Sequence, residues 1–297
     1  MKKNTTMYVG KREFRSNLQR ITLLTFAALL LCMSMNAQTV ENGVLVSWSN
    51  ASGEITIPQG VTKIANQVFK GRSSITAVNF NDGLEEIGDE AFMNCSKINK
   101  FNFPNSLKKI GLKAFYKCSN LTTINFGKGL TILGSTAFSY CGKLTKVDLP
   151  GSIVAIGNNA FNYCKELKEV TVGNGTKKVG DQAFRLCKKL TTITLPESVD
   201  SIGNDAFRDC SQLTTVSLGQ SGLKHIGNGT FYNCQALTTL ELPSTVESLG
   251  DYVFSQDSKL ASLVLPASMK HIGDFAFTGC TQLNEMPLPA SLESLGK

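Results

Sequence analysis

The sequence has 297 residues, 42% of them hydrophobic and 18% charged, a length that admits two ordinary domains or one elongated one and a composition too apolar for a disordered chain. Its formal charge of +7 invites a nucleic-acid reading, but six of the basic residues (Lys2, Lys3, Lys11, Arg12, Arg15 and Arg20) and one acidic residue (Glu13) fall in the first 37 positions. Without them the totals of 30 and 23 become 24 and 22, a net of +2, and no basic tail or nucleic-acid motif is left to support that reading.

The chain opens on that basic leader, followed by the apolar run "ITLLTFAALLLCM" from Ile21 to Met33 and then "SMNAQ". The run is short against the roughly 20 residues a spanning helix needs, and the small Ala37 suits a signal peptidase, so residues 1–37 are expected to be an export signal cut after Ala37. The alternatives are a retained anchor or a lipoprotein with its lipid on Cys32, although Leu31 is bulky where lipoprotein signals carry a small residue. After cleavage no membrane span is expected.

Residues 38–60 form the next unit. Within "NGVLVSWSNASGEITIPQGV", Asn42 to Val61, two alternating apolar runs are joined at Asn50, Ser52 and Gly53. This predicts a β-hairpin cap over the open edge of the first repeat, with Trp48 packed on it.

From 61 to 297 the chain repeats. Phe69, Phe92, Phe115, Phe138, Phe161, Phe184, Phe207, Phe231, Phe254 and Phe277 recur every 23 residues, with a single interval of 24 before Phe231. A fixed period of this size means a solenoid in which each coil buries its apolar side only against its neighbours. In "LTTITLPESVDSIGNDAFRDC", Ile193 and Leu195 alternate with Thr192 and Thr194 as a strand, and Pro196 ends it. Gly203 is expected to permit a tight bend, and Asn204 or Asp205 to cap a short helical turn that puts Phe207 and Cys210 on one inward face. The fold class expected is α/β: about ten 23-residue repeats, each with one strand and one short helical turn. The extra residue in "LGQSGLKHIG", Leu218 to Gly227, should bulge a loop and spare the core. The sequence stops mid-repeat at "SLESLGK", which would leave its last edge bare.

Eight cysteines lie beyond the leader: Cys95, Cys118, Cys141, Cys164, Cys187, Cys210, Cys234 and Cys280. Asp257 takes the cysteine's place in one repeat and splits them into a run of seven and one alone, so nearest-neighbour disulfides would strand two thiols. Strung along a line without a nearby histidine, they do not converge as zinc ligands do. Free, buried packing is the reading they favour.

No catalytic constellation is visible. His225 and His271 each precede an Ile-Gly two repeats apart, Asp251 and Asp274 read as helix caps or solvated turn residues, and the glycines form no phosphate loop. No catalytic residue, cofactor or metal is therefore expected. Two long surfaces remain for binding. The outward strand positions Asn79, Asn102, Asn125, Asp148, Thr171, Thr194, Ser217 and Glu241 are short and polar. On the opposite side, the residue two after each Phe gives Tyr140, Tyr163 and Leu186 in successive repeats, beside Lys165, Arg185, Lys188 and Lys189. Aromatic and basic side chains interleaved in this way make the latter column the candidate partner-binding site.

The repeat core A-F-x-x-C-x-x-L-x-x-I-x-L-P resembles the BspA-type leucine-rich repeats of surface and secreted proteins of host-associated bacteria, over about residues 53 to 297. The resemblance implies a right-handed leucine-rich-repeat superhelix, export to the cell surface, and binding to proteins or glycans of host matrix or cell surfaces, with no cofactor and no catalytic residues. The function expected is noncatalytic adhesion or protein recognition by a monomer, with a structural spacer or a carbohydrate-binding array as alternatives.

Overall fold

The computed structural model describes residues 38–220 and 222–297; the expected export signal and Cys32 lie outside them. Each repeat forms two short strands, because each carries two places where an inward apolar residue is flanked by outward polar ones. Thr192–Thr194 buries Ile193 and pairs in parallel with the same stretch one repeat away on either side, so that Ile193 lies beside Val170 and Val216. Ser201–Ile202 buries Ile202 and belongs to a 13-stranded sheet that runs the length of the array. That sheet begins with β1 (Gln38–Glu41) and β2 (Val44–Trp48) and continues strand by strand from Lys63–Ile64 to Ser294–Leu295. The molecule is a solenoid of stacked parallel coils.

The expected helical turn is absent: the described residues contain strands and turns and no helix. The reason lies in the backbone. In each coil the residues two before and two after the Phe take left-handed angles, as Asp205 (φ 54) and Asp209 (φ 60) do, and this breaks the run of right-handed residues a helix needs. Nor do the alternate N–H groups bond back four residues. Those of Asp205, Phe207 and Asp209 donate to the carbonyls of Asn228, Thr230 and Tyr232 in the next coil, at 2.7, 2.9 and 2.8 Å. Phe207 and Cys210 still share the inward side, joined by a turn bond from the Cys210 N–H to the Phe207 carbonyl at 3.1 Å.

Inside, identical side chains form ladders. Phe138, Phe161, Phe184 and Phe207 are fully buried, and their rings stack at 5.6, 5.5 and 5.6 Å within 4° of parallel. The eight cysteines are free, and all but Cys280 are buried. They do more than fill space. Each thiol donates to the Phe carbonyl of the preceding coil, as Cys210 Sγ does to Phe184 O at 3.2 Å. Burial pushes the thiol pKa values up, to about 12 for Cys164.

The corner glycine has a different role from the bend expected of it. A Cβ on Gly203 would meet the Asp181 backbone N at 2.6 Å and the Gly180 carbonyl carbon at 2.8 Å, so it is close stacking on the preceding coil that demands glycine there. The following position forms a ladder in place of helix caps: Asn204 Oδ1 accepts the Asn228 N–H at 2.8 Å, Asn228 Oδ1 the Asp251 N–H at 3.0 Å, and Asp251 Oδ1 the Asp274 N–H at 2.8 Å.

The N-terminal hairpin also differs from expectation. The two runs flanking Asn50 do not pair with each other. β1 pairs antiparallel with β2 around Asn42–Gly43, β2 pairs parallel with Lys63–Ile64, and β3 (Gly53–Thr56) pairs parallel with Ile75–Asn79. Each run copies one strand of a coil, so pairing with its counterpart one coil on buries Leu45 and Ile55 where a hairpin between them would not. Trp48 does cap the Phe column, 5.7 Å from Phe69. The inserted residue is absorbed outside the core as expected: Phe207 and Phe231 remain stacked at 5.6 Å, and Leu223 and Ile226 stay buried.

Candidate functional site

The two outer surfaces differ in how far their polar groups are already satisfied. On the strand face the residues singled out are exposed, and four of them bond to neighbouring side chains: Asn125 Nδ2 to Asn102 Oδ1 at 2.6 Å, Asn79 Nδ2 to Glu54 Oε1 at 2.8 Å, and Asp148 Oδ1 to Lys146 Nζ at 3.5 Å, a lysine that also reaches Glu169 Oε1 at 3.0 Å. His225 and His271 occupy exposed positions of the 13-stranded sheet, where their Nδ1 atoms meet Ser248 Oγ at 2.7 Å and Ser294 Oγ at 2.9 Å. These are bonds between neighbouring coils on an open face; His271 Nε2 also stands 3.9 Å from Glu293 Oε2, with both side chains more than half exposed to solvent. Among the described residues no three His, Cys, Asp or Glu side chains gather as metal ligands do, and no helix is long and apolar enough to cross a membrane.

The turn face is different. Its bonds between coils run mostly from main chain to main chain, with the Asn and Asp acceptors at the corner as the side-chain exception, which leaves the side chains on either side of each Phe free to project. Three tyrosines from three successive coils come together there: Tyr116 and Tyr140 lie edge to face at 5.5 Å, and Tyr140 and Tyr163 lie at 4.6 Å between centroids. Lys117 Nζ stands 5.2 and 5.7 Å from the Tyr116 and Tyr140 rings, and Lys165 Nζ stands 4.3 Å from the Tyr163 ring. The hydrogen bond and charge of Lys165, aided by the charge of Lys188, draw the Tyr163 phenol below its usual pKa. Tyr140 keeps 38% of its surface exposed.

The structure thus brings Tyr140, Tyr163 and Lys165 together and places Leu186 and Arg185 on the next coil, both half-buried. Lys188 is exposed beside them. Lys189 is drawn away into an ion pair with Glu166 at 2.7 Å and is the weakest member of the predicted set. Tyr116 and Lys117 escape a reading that tracks only the column of aromatic residues two after each Phe, since Tyr116 stands one after and Lys117 is not aromatic. Tyr252 and Phe275, two before their Phe, escape it in the same way; they stack at 5.2 Å with 44% and 38% of their surfaces exposed.

The backbone adds a further mark. Gly71, Asn94, Asp209, Asn233 and Gly279 occupy the left-handed position after the Phe in five other coils, types that tolerate φ > 0, while Lys117 (φ 58) and Gln256 (φ 69) occupy it in two more. Tyr140 (φ 61), Tyr163 (φ 64) and Leu186 (φ 60) adopt the same conformation with bulky side chains, at a cost of about 1–2 kcal/mol each.

The family model described as "BspA type Leucine rich repeat region" matches residues 47–168, 131–261 and 219–297. Among solved structures, the chain is similar to the leucine-rich repeat protein of T. pallidum, with 30% identity, 61% of this chain and 88% of that one covered, and a TM-score of 0.57. It is similar also to a leucine-rich repeat protein of Bacteroides ovatus, with 24% identity, coverages of 87% and 94%, and a TM-score of 0.51. A leucine-rich cell surface protein of Faecalibacterium prausnitzii aligns at 22% identity over 88% and 96% of the two chains, with a TM-score of 0.47. No curated protein matches the chain. With a 23-residue period, parallel coils and a family model that covers the array from residue 47 onward, the chain belongs to the BspA-type leucine-rich repeat family.

Proposed function

We propose that the protein is an exported, noncatalytic recognition module that holds a macromolecule of a host matrix or cell surface against the tyrosine and lysine column of its turn face. The observation that carries this reading is the cluster of Tyr116, Tyr140 and Tyr163, held together on three coils with Lys117 and Lys165 beside them. Two of its rings sit on left-handed backbone that favours smaller residues. The residues singled out on the strand face form no such cluster, and Asn79, Asn102, Asn125 and Asp148 among them already bond to neighbouring side chains. The leader at residues 1–37 and the family's resemblance to surface proteins support export.

The test is binding of the purified protein to immobilised extracellular-matrix proteins and to intact host cells, with Tyr140→Asn and Tyr163→Asn as the probe. Asparagine already stands at this position in Asn94 and Asn233, so the variant keeps the backbone. At least a tenfold loss of binding supports the reading. Unchanged binding removes the column from it, and no binding by the wild type leaves the array as a structural spacer.

A further inference from the structure

We propose that the column takes a linear acidic polysaccharide, laid along the solenoid axis with its anionic groups against Lys117, Lys143, Lys165 and Lys188 and its hydroxyls against the tyrosine edges. This rests on the assignment of the column as the binding face. The charge comes first. The four turn segments 111–122, 134–145, 157–168 and 180–191 carry eight Lys and Arg side chains against Glu166 and Asp181, on a chain that is nearly neutral beyond its leader. Among the described residues, Lys117, Lys143, Lys165 and Lys188 have no carboxylate within ion-pair distance, whereas Glu166 is taken up by Lys189. One coil further on, the excess ends, because Arg208 is matched by Asp205 at 3.2 Å and by Asp209 at 3.7 Å. The basic strip is therefore bounded, four coils long and not neutralised from within.

Its shape selects among anionic partners. Successive coils advance by about 4.8 Å, and Lys117, Lys143, Lys165 and Lys188 stand two, five, four and four residues after their Phe, so the strip presents one such donor per coil. A polymer with a short regular repeat matches such a row. The tyrosine rings are turned toward one another, at 5.5 and 4.6 Å, and Lys165 covers the Tyr163 ring at 4.3 Å. Their faces are occupied, which disfavours the base stacking by which single-stranded nucleic acids bind aromatic platforms. The phenol groups of Tyr116 and Tyr140 remain as hydrogen-bonding groups, while that of Tyr163 already engages Lys165. A folded protein partner would need an apolar anchor in a pocket. The strip offers Leu112 and Tyr140, 42% and 38% exposed, and the half-buried Leu186, one each on three separate coils.

The experiment is titration of the purified protein with four probes of matched length: a heparin dodecasaccharide, a neutral glucan oligosaccharide, poly-glutamate and oligo-thymidylate. The expected result is saturable binding of the acidic oligosaccharide, weakened at least tenfold in the neutral glucan and in both charged non-sugar polymers. Lys165→Glu with Lys188→Glu, and separately Tyr140→Asn with Tyr163→Asn, should each cost at least tenfold while the thermal unfolding curve stays in place. Absence of saturable binding, binding unaffected by both variants, or equal binding of poly-glutamate or oligo-thymidylate overturns the proposal. If the tyrosine variant abolishes binding to matrix proteins while the wild type ignores the oligosaccharide, the binding face stands and the polysaccharide falls. If no probe of either kind depends on the column, both fall.

Discussion

Asp257 stands in the cysteine ladder between Cys234 and Cys280, fully buried, and its titration should set the pH dependence of the last coils. Its Oδ1 accepts the Cys234 N–H at 2.6 Å, while Oδ2 is buried without a partner. Burial raises the pKa from 3.8 to about 8, against the smaller lowering pull of that N–H. The folded state therefore keeps a proton that the unfolded chain releases above about pH 4. Stability from this group is fully present below the unfolded value and is lost as pH rises through the folded one. The difference between 3.8 and about 8, at about 1.4 kcal/mol per pH unit, is on the order of 5 kcal/mol. The assay is urea denaturation from about pH 5.5 to 8.5, above the range where Glu86, Glu90 and Glu247, all held low by lysine partners and Glu86 in spite of its burial, begin to protonate. Hydrogen exchange across residues 231–283 is followed in parallel, because coils at one end can open alone. Asp257→Cys, which restores the thiol, and Asp257→Asn, which keeps the acceptor, should both flatten the curve, and the cysteine variant should exceed the wild type by several kcal/mol at pH 8. If wild type and variants fall in parallel with pH, the buried acid is not the titrating group and the reasoning fails.

Three further outcomes are expected. Phe161→Ala, opening a cavity between rings stacked at 5.6 and 5.5 Å, should cost about 3–5 kcal/mol in chemical denaturation. Gly203→Ala, which drives a methyl into the backbone of Gly180 and Asp181, should destabilise by roughly 1–3 kcal/mol, although its φ suits alanine; a neutral effect would show that coils can part freely there. In thiol labelling of the folded protein at pH 8, Cys280 should react first and slowly, being half-buried with its pKa raised to about 12, while the other seven wait for unfolding.

The solenoid was legible because its information is repeated. Phe207 and Ile193 each recur in register with counterparts one period away, and ten copies of a weak local signal make a strong one. The helical turn was misread because Ala206, Phe207 and Cys210 have the spacing of a helix face, whereas the deciding fact is the handedness of Asp205 and Asp209, which no spacing encodes. Asn204 and Asp251 were misassigned for a related reason. A side chain that caps a helix and one that caps the N–H of the next coil are the same residue types doing the same chemistry over different sequence distances. Tyr140 and Tyr163 could be picked out because they share a column, and Tyr116 could not, because its ring reaches them from a neighbouring column.

That division explains where such an array can vary. A ladder residue has near-copies of itself as neighbours, so a change in Phe184 must be absorbed by Phe161 and Phe207 together. A turn-face residue has no such tie, because the bonds that join its coil to the next come from the N–H and C=O groups of residues such as Tyr163 and Arg185, whatever their side chains. The backbone imposes a left-handed angle there two residues before and two residues after the Phe, and glycine or asparagine meets it at the least cost. Long or bulky residues stand at the second of these positions on four consecutive coils, in Lys117, Tyr140, Tyr163 and Leu186, against that local preference. The contact proposed along the column would offset the cost of those side chains.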